Sequence, residues 1–187
     1  MRLPLVPETQ VTESQKPLYD AFAKRVGKNY TIFKTMRDDG ALLGPWGVWL
    51  QDPKTGEAIR QFIEAVEAMP GLSKVAGQVV TLVTAAHFNP AYEIYAHTAV
   101  AAKAGLSEDQ IATLFAGEIP ADLDAELILA AQVTSRLLKG GVLPAPLYKH
   151  AVATLGQDGF NHLVYIVGQY CIVSLTLNAF DVPAEDH

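Results

Sequence analysis

The 187-residue sequence predicts an all-α domain of seven or eight helices. Three observations carry that reading. From Gly56 onward, apolar residues recur at three- and four-residue spacing almost without relief. The interruptions fall on Gly, Pro, Ser and Asp positions of the kind that start and stop helices. No stretch alternates apolar and polar residues between hairpin turns, as a strand would.

The elements follow in order. Residues 1–12 hold two prolines and read as an extended arm. Ser14 to Arg25 places Leu18 and Phe22, with Val26 beyond, at helical spacing behind a Thr/Ser start. Residues 28–55 read as a long connection, rich in Gly, Asp and aromatics, with room for one helical turn. Such a segment inside a domain is often functional. Ala58 to Met69 aligns Ile59, Phe62, Ile63, Val66 and Met69 on one stripe, broken by Pro70-Gly71. Lys74 to His87 is an Ala/Val/Leu helix with few charges. Asn89 then suits an N-cap and Pro90 a first helical residue, for a helix ended by Gly105.

Ser107 and Gln110 form a capping box that opens a short helix to Ala116, ended by Gly117. Asp122 or Asp124 caps a longer helix through Lys139, before Gly140-Gly141. Pro144-Ala145-Pro146 starts another that stops at Gly156, and the last helix runs from about Phe160 to Ala179.

Size and composition bound the function. The chain suits one globular domain, with half its residues hydrophobic and 18% charged. A net charge of −6 without any Lys/Arg cluster argues against nucleic acid as a partner. Cys171 is the sole cysteine, lies in an apolar run and reads as an inert thiol; a single cysteine excludes an internal redox pair. The N-terminus lacks the apolar core of a secretory signal. Gly168, Gln169, Ser174 and Asn178 interrupt the apolar run from Leu163 to Phe180, which reads as a core helix rather than a membrane span. A soluble, cytoplasmic protein is expected. Residues 74–87, 94–104 and 160–180 are apolar nearly all round and need cover on every side, which predicts a homo-oligomer.

The candidate chemistry centres on Glu93 and His97, four residues apart and therefore stacked on one helical face. An exposed ion pair of this spacing lends only about 0.2–0.5 kcal/mol to a helix. Such pairs normally sit among other charges, whereas the neighbours here are Ala, Ile, Tyr, Val and Thr. Glu93 falls near the first turn, where the helix dipole favours the carboxylate. An ionised Glu93 would fix the tautomer of His97 or raise its pKa, leaving a general acid or base near neutrality.

Other candidates are weaker. His87 could turn toward the pair, or could simply close its helix against the C-terminal dipole. Tyr92, Trp49 and Tyr170 are candidates for substrate contact, although aromatics on apolar helices are usually core or interface. His150 and His162 have no carboxylate four residues away and are expected to be satisfied or exposed. Arg37, Arg60 and Lys34 are the cations available for an acidic substrate. Five residues separate His87 from Glu93 and three separate Glu93 from His97, which is not the spacing of a zinc helix. No metal ligand set is assigned.

The run from about Gly77 to Gly105, with Tyr92-Glu93 followed by His97 and then Lys103-Ala104-Gly105-Leu106-Ser107, resembles the carboxymuconolactone decarboxylase and alkylhydroperoxidase-D-like superfamily. Val167-Gly168-Gln169-Tyr170 and Thr176-Leu177-Asn178-Ala179-Phe180 resemble the closing helix of its cofactor-independent branch, and the likeness spans most of residues 40–183. The resemblance implies an all-helical fold assembled as trimers or hexamers. The peroxidase branch carries two cysteines ahead of the histidine, at positions that here are Pro90 and Glu93, so thiol peroxidase activity is not expected. The nearer relatives carry Tyr-Glu-aromatic-x-x-His, with Ile94 here in place of the aromatic. The resemblance implies acid–base chemistry on a small muconolactone-type carboxylate from aromatic catabolism, without a cofactor. The expectation is a lyase or isomerase acting on an unsaturated acid or lactone, with Glu93 and His97 catalytic. The alternatives are a non-catalytic helical oligomer that binds a small molecule, and a metal-dependent peroxidase or oxygenase.

Overall fold

Helix α4 (Lys74–Phe88) is the axis of the domain, packed against α5 (Ala91–Ala104), α6 (Glu108–Phe115), α7 (Ala125–Leu138) and α8 (Ala145–Ala179). The computed structural model describes residues 1–29 and 31–184, without the side chains of residues 28 and 29. Tyr30 and the C-terminal residues 185–187, His187 among them, lie outside that description. α4 takes the central place because its neighbours need surface on every side and it has almost no polar face to spare. Ala76, Val79, Val80, Leu82 and Ala85 are all fully buried. Its Thr81 and Thr84 satisfy their hydroxyls on the carbonyls one turn back, of Gly77 and Val80.

Among the described residues there is no strand, only an isolated bridge between Met36 and Leu42. The chain is all-α. Residues 1–12 are extended apart from one 3-10 turn at Glu8–Gln10, and they are no free arm. Leu3, Leu5, Val6 and Val11 pack on the core, and the Arg2 N–H donates to the Phe180 carbonyl.

Several boundaries differ from the sequence reading. α1 (Lys16–Asn29) reaches past Arg25, and the connection after it is broken by α2 (Pro45–Trp49), every residue of which is buried. α3 (Pro53–Glu67) starts five residues before Ala58, because the Asp52 carboxylate accepts from the Thr55 N–H and caps it. Asn89 is not an N-cap: it closes α4 in the left-handed conformation (φ 54°), which asparagine tolerates, and Pro90 caps α5. The Ser107/Gln110 capping box and the left-handed stop at Gly105 are present as read. Asp124 stands at the α7 N-cap, while Asp122 accepts from Gln110 Nε2. α8 is two helices joined at Gly156, whose φ of 72° breaks the run. By length and composition α8 alone among the described helices could cross a membrane.

Two backbone contacts shape the site. Gly71 and Gly159 meet so closely that a Cβ on Gly71 would lie 2.5 Å from the Gly159 nitrogen, which brings the turn before α4 onto α8. Further along, Gly77 on α4 faces Ile166 on α8, and both line a cleft beside α5.

Candidate active site

The buried stripe of α5 is Tyr92, Glu93, Ala96, His97 and Ala101. A helix normally fills such a stripe with apolar residues. Here a carboxyl and an imidazole occupy it, only 3% and 7% exposed. Glu93 Oε1 lies 3.2 Å from His97 Nε2. The other ring nitrogen, Nδ1, is 2.9 Å from Gln78 Oε1 on α4. A carboxamide oxygen can only accept, so Nδ1 carries a hydrogen and the Nε2 lone pair faces Glu93.

Burial sets the charge state. Desolvation pushes the Glu93 carboxyl up to about 8 and the His97 imidazole down to about 4. Both groups are therefore neutral near pH 7, and the proton of the pair belongs on Glu93, pointing at Nε2. This corrects the expectation of an ionised Glu93 charging His97. A helix dipole favours a carboxylate by about 0.3–1 kcal/mol. Removing an ion from water costs several kcal/mol, and the larger effect wins.

Two cavities meet at His97. On one side lies an open cleft of about 850 Å³ between α8 and the α4–α5 pair, lined by Gln78, Thr81, Lys103, His162, Ile166 and Gln169 among others. On the other is a chamber of about 40 Å³ walled by Phe33, Trp46, Trp49, Ile63, Tyr92 and Val173, with Glu93 inside it. That volume holds a water-sized group and little more. His97, Gln169 and Tyr170 line both spaces, and Tyr170 sets its ring edge-on to His97 at 5.1 Å. The aromatic wall is rigid: Trp46 and Trp49 stack edge to face at 5.4 Å, Trp49 Nε1 donates to Thr176 Oγ1, and the Tyr92 hydroxyl donates to the Lys34 carbonyl.

Three of the four candidate contact residues, Trp49, Tyr92 and Tyr170, thus stand at these cavities. His87 does not. It is exposed, stacks on Phe88, and lines a separate hollow with Glu118, Ser135 and Lys139, because the left-handed Asn89 turns it away from α5. The three candidate cations are also elsewhere. Arg37 pairs with Asp39, Arg60 with Glu57 and Glu64, and the Lys34 side chain is exposed. Lys74 and Lys103 line the cleft instead, and neither forms an ion pair with a described residue. The cleft's one acid, Glu67, is paired with Arg25.

Gln78, Gln169 and His162 line the site, a role that the sequence alone does not assign to them. A lone glutamine in each of two apolar helices was the available signal for the first two. His162 contradicts its expected reading, since its Nδ1 is buried without a partner. Gln169 Oε1 likewise has no hydrogen-bonding partner, so two such buried atoms line the open cleft. Buried polar atoms left open in this way mark ligand sites. Cys171 is half-buried, and burial raises its thiol, which fits an inert residue. Among the described residues no three His, Cys, Asp or Glu side chains converge as metal ligands.

Residues 53–136 match the model of the carboxymuconolactone decarboxylase family, a span that includes Glu93 and His97. No curated protein sequence matches the chain. Among solved structures, an alkylhydroperoxidase AhpD core, an uncharacterized peroxidase-related protein from Ralstonia eutropha JMP134, superposes with a TM-score of 0.78 at 12% identity, covering 99% of this chain and 92% of that one. The debrominase Bmp8 in complex with 2,3,4-tribromopyrrole superposes at 0.71 with 9% identity, covering 99% and 93%. Its apo form gives 0.72 with 8% identity, covering 97% and 90%. At these identities the shared property is the fold.

Proposed function

We propose that the chain is a member of the carboxymuconolactone decarboxylase superfamily and a lyase or isomerase using acid–base chemistry on a small unsaturated carboxylic acid or lactone; the family match over residues 53–136 and the likeness of fold support the reading. The observation that carries the reading is the placement of His97, with Glu93 on the chamber side and the open cleft on the other. An imidazole can accept a proton at one nitrogen while releasing one at the other. Nε2 takes the Glu93 proton as Nδ1–H gives its own to a substrate that displaces Gln78.

For a decarboxylation, the C–CO₂⁻ bond breaks and its electron pair enters a conjugated carbonyl. The resulting dienolate carbon then takes the proton from Nδ1; solvent reprotonates Nδ1, and Nε2–H returns its proton to the Glu93 carboxylate, which restores the starting tautomer. For an isomerisation the pair starts in the other tautomer, with Nε2–H toward Glu93 and a bare Nδ1 toward the cleft: Nδ1 removes a proton at one carbon and returns it at another. Lys74 and Lys103 supply the positive charge that draws an anionic substrate to the cleft of an acidic protein.

The same reading places the protein in aromatic-compound catabolism in the cytoplasm, as a homo-oligomer. Tyr165, Ile172 and Leu175 support the last point: they are 50%, 40% and 57% exposed on one face of α8, at the seven- and three-residue spacing of a helix-pairing seam.

The test is an ultraviolet and CO₂-release screen of muconolactones and related unsaturated acids, run on the natural chain and on His97→Ala. Turnover by the natural chain that disappears in a folded His97→Ala supports the reading. Undiminished turnover in the variant ends it.

A further inference from the structure

His162 stands at the far end of the cleft from His97. It lies seven residues before Gln169 on α8, about 10 Å along the helix axis. The Gly71–Gly159 contact brings Pro70 against this part of α8, and His162 hydrogen-bonds the Pro70 backbone. That backbone group is a carbonyl, since proline has no N–H, so the bonded ring nitrogen is the donor. Nδ1 has no partner, which assigns the bond to Nε2–H and leaves Nδ1 as a bare lone pair. Burial lowers the ring's proton affinity. Lys74, at the start of α4 just beyond Pro70, and Lys103, at the end of α5, line the same cleft. One end of the cleft thus offers two ammonium groups and one buried, fixed acceptor.

Resting on the reading of His97 as the reacting end, we infer that His162 is a specificity residue: its Nδ1 accepts a hydrogen bond from a hydroxyl beside the substrate's anionic group. A carboxylate that the substrate retains, distinct from any group lost at His97, goes to Lys74 and Lys103, the neighbouring O–H goes to His162, and the unsaturated part of the molecule runs along Ile166 and Tyr170 toward His97. The preferred substrate class is therefore an elongated hydroxy acid rather than a plain acid. An anion alone cannot satisfy a lone pair. An acid whose hydroxyl is replaced by hydrogen or methoxy leaves Nδ1 as it is, buried and unpartnered.

Mandelate, phenylacetate and α-methoxyphenylacetate are the probes, differing only in the donor beside the carboxylate. Calorimetric titration of the natural chain is expected to give mandelate roughly fivefold tighter binding than either analogue, the worth of one net hydrogen bond. His162→Phe abolishes the preference while phenylacetate affinity is retained, and Lys103→Met weakens all three alike. Nitrogen NMR of the natural chain is expected to move the His162 Nδ1 resonance with mandelate and leave it in place with phenylacetate, a readout that needs no variant to fold. Equal binding of the three probes, absent binding included, overturns the inference, as does a preference that survives in His162→Phe. Turnover that persists without any hydroxyl preference removes this inference and leaves the acid–base reading standing. A hydroxyl preference together with an undiminished His97→Ala does the reverse.

Discussion

His97 Nε2 lies 3.2 Å from Glu93 Oε1, with both residues buried and a mutual orientation that needs one proton between them. The reactive state of such a pair holds that single proton. It is destroyed above about pH 8, where Glu93 ionises, and below about pH 4, where His97 is protonated. Turnover is therefore expected to follow a bell with limbs near those values. Glu93→Gln removes the transferable proton and keeps the shape, so a loss of roughly 10²- to 10⁴-fold in kcat is expected. A Glu93→Gln enzyme within threefold of the natural rate contradicts the assignment.

Gln78 controls the other nitrogen. Its carboxamide oxygen, 2.9 Å from Nδ1, accepts a hydrogen bond but adds no full charge. Gln78→Glu would set a carboxylate there and favour the imidazolium, moving the acid limb of the rate profile upward from about 4 toward neutrality. Gln78→Leu strands Nδ1–H and moves that limb down. Opposite displacements in the two variants are the expected result; an unmoved limb in both removes Gln78 as a positioning residue.

The same ionisations couple to folding. Glu93 is raised from 4.5 to about 8, so between those values the folded state binds the extra proton and stability falls as pH rises. His97 is lowered from 6.5 to about 4, so between those values the unfolded state binds the extra proton and stability rises with pH. From 4.5 to 6.5 the two slopes cancel. Above 6.5 the Glu93 slope dominates, and stability contributed by the pair falls by about 1 kcal/mol up to pH 8. Urea unfolding from pH 6 to 8 is expected to show that decline in the natural chain and its absence in Glu93→Gln.

Local signals were legible in the sequence. Gly105, the Ser107/Gln110 box and the Gly156 break are each decided by a few neighbouring residues, and the structure has them where the sequence places them. Asn89 shows the limit. Asparagine suits both an N-cap and a left-handed stop, and with Pro90 following, only the packing of α4 against α5 decides between them. The spacing of Glu93 and His97 showed that they share a face, but not that burial would neutralise both. Gln78 and His162 were illegible for a simpler reason. Their partners, His97 and Pro70, are distant in sequence, and no periodicity along one helix reports what another brings beside it.

Assembly through α8 has its own consequence. Leu175 is 57% exposed on the apolar face shared with Tyr165 and Ile172. A charge there does not disturb the monomer's core but is expensive in a buried seam. Leu175→Glu is expected to shift the protein from oligomer to folded monomer in sedimentation experiments, with helical content unchanged. A natural chain that sediments as a monomer at tens of micromolar would refute the proposed assembly.

Gly44 tests the chamber wall. It holds φ at 65°, a conformation that L side chains rarely adopt, and a Cβ there would fall 2.3 Å from Tyr92 Cε1. Backbone strain of about 1–2 kcal/mol adds to an overpacking cost of about 1–3 kcal/mol, so Gly44→Ala is expected to destabilise the fold by about 2–5 kcal/mol. The Tyr92 ring cannot simply withdraw: its hydroxyl is held by the Lys34 carbonyl and its face by Phe33 at 6.3 Å. Any displacement of Tyr92 is passed directly to Glu93, the next residue on α5. Turnover should therefore drop by more than the unfolded fraction explains. Denaturant unfolding and kcat measured on the same sample separate the two effects, and activity that tracks stability alone would show that this wall does not position the acid.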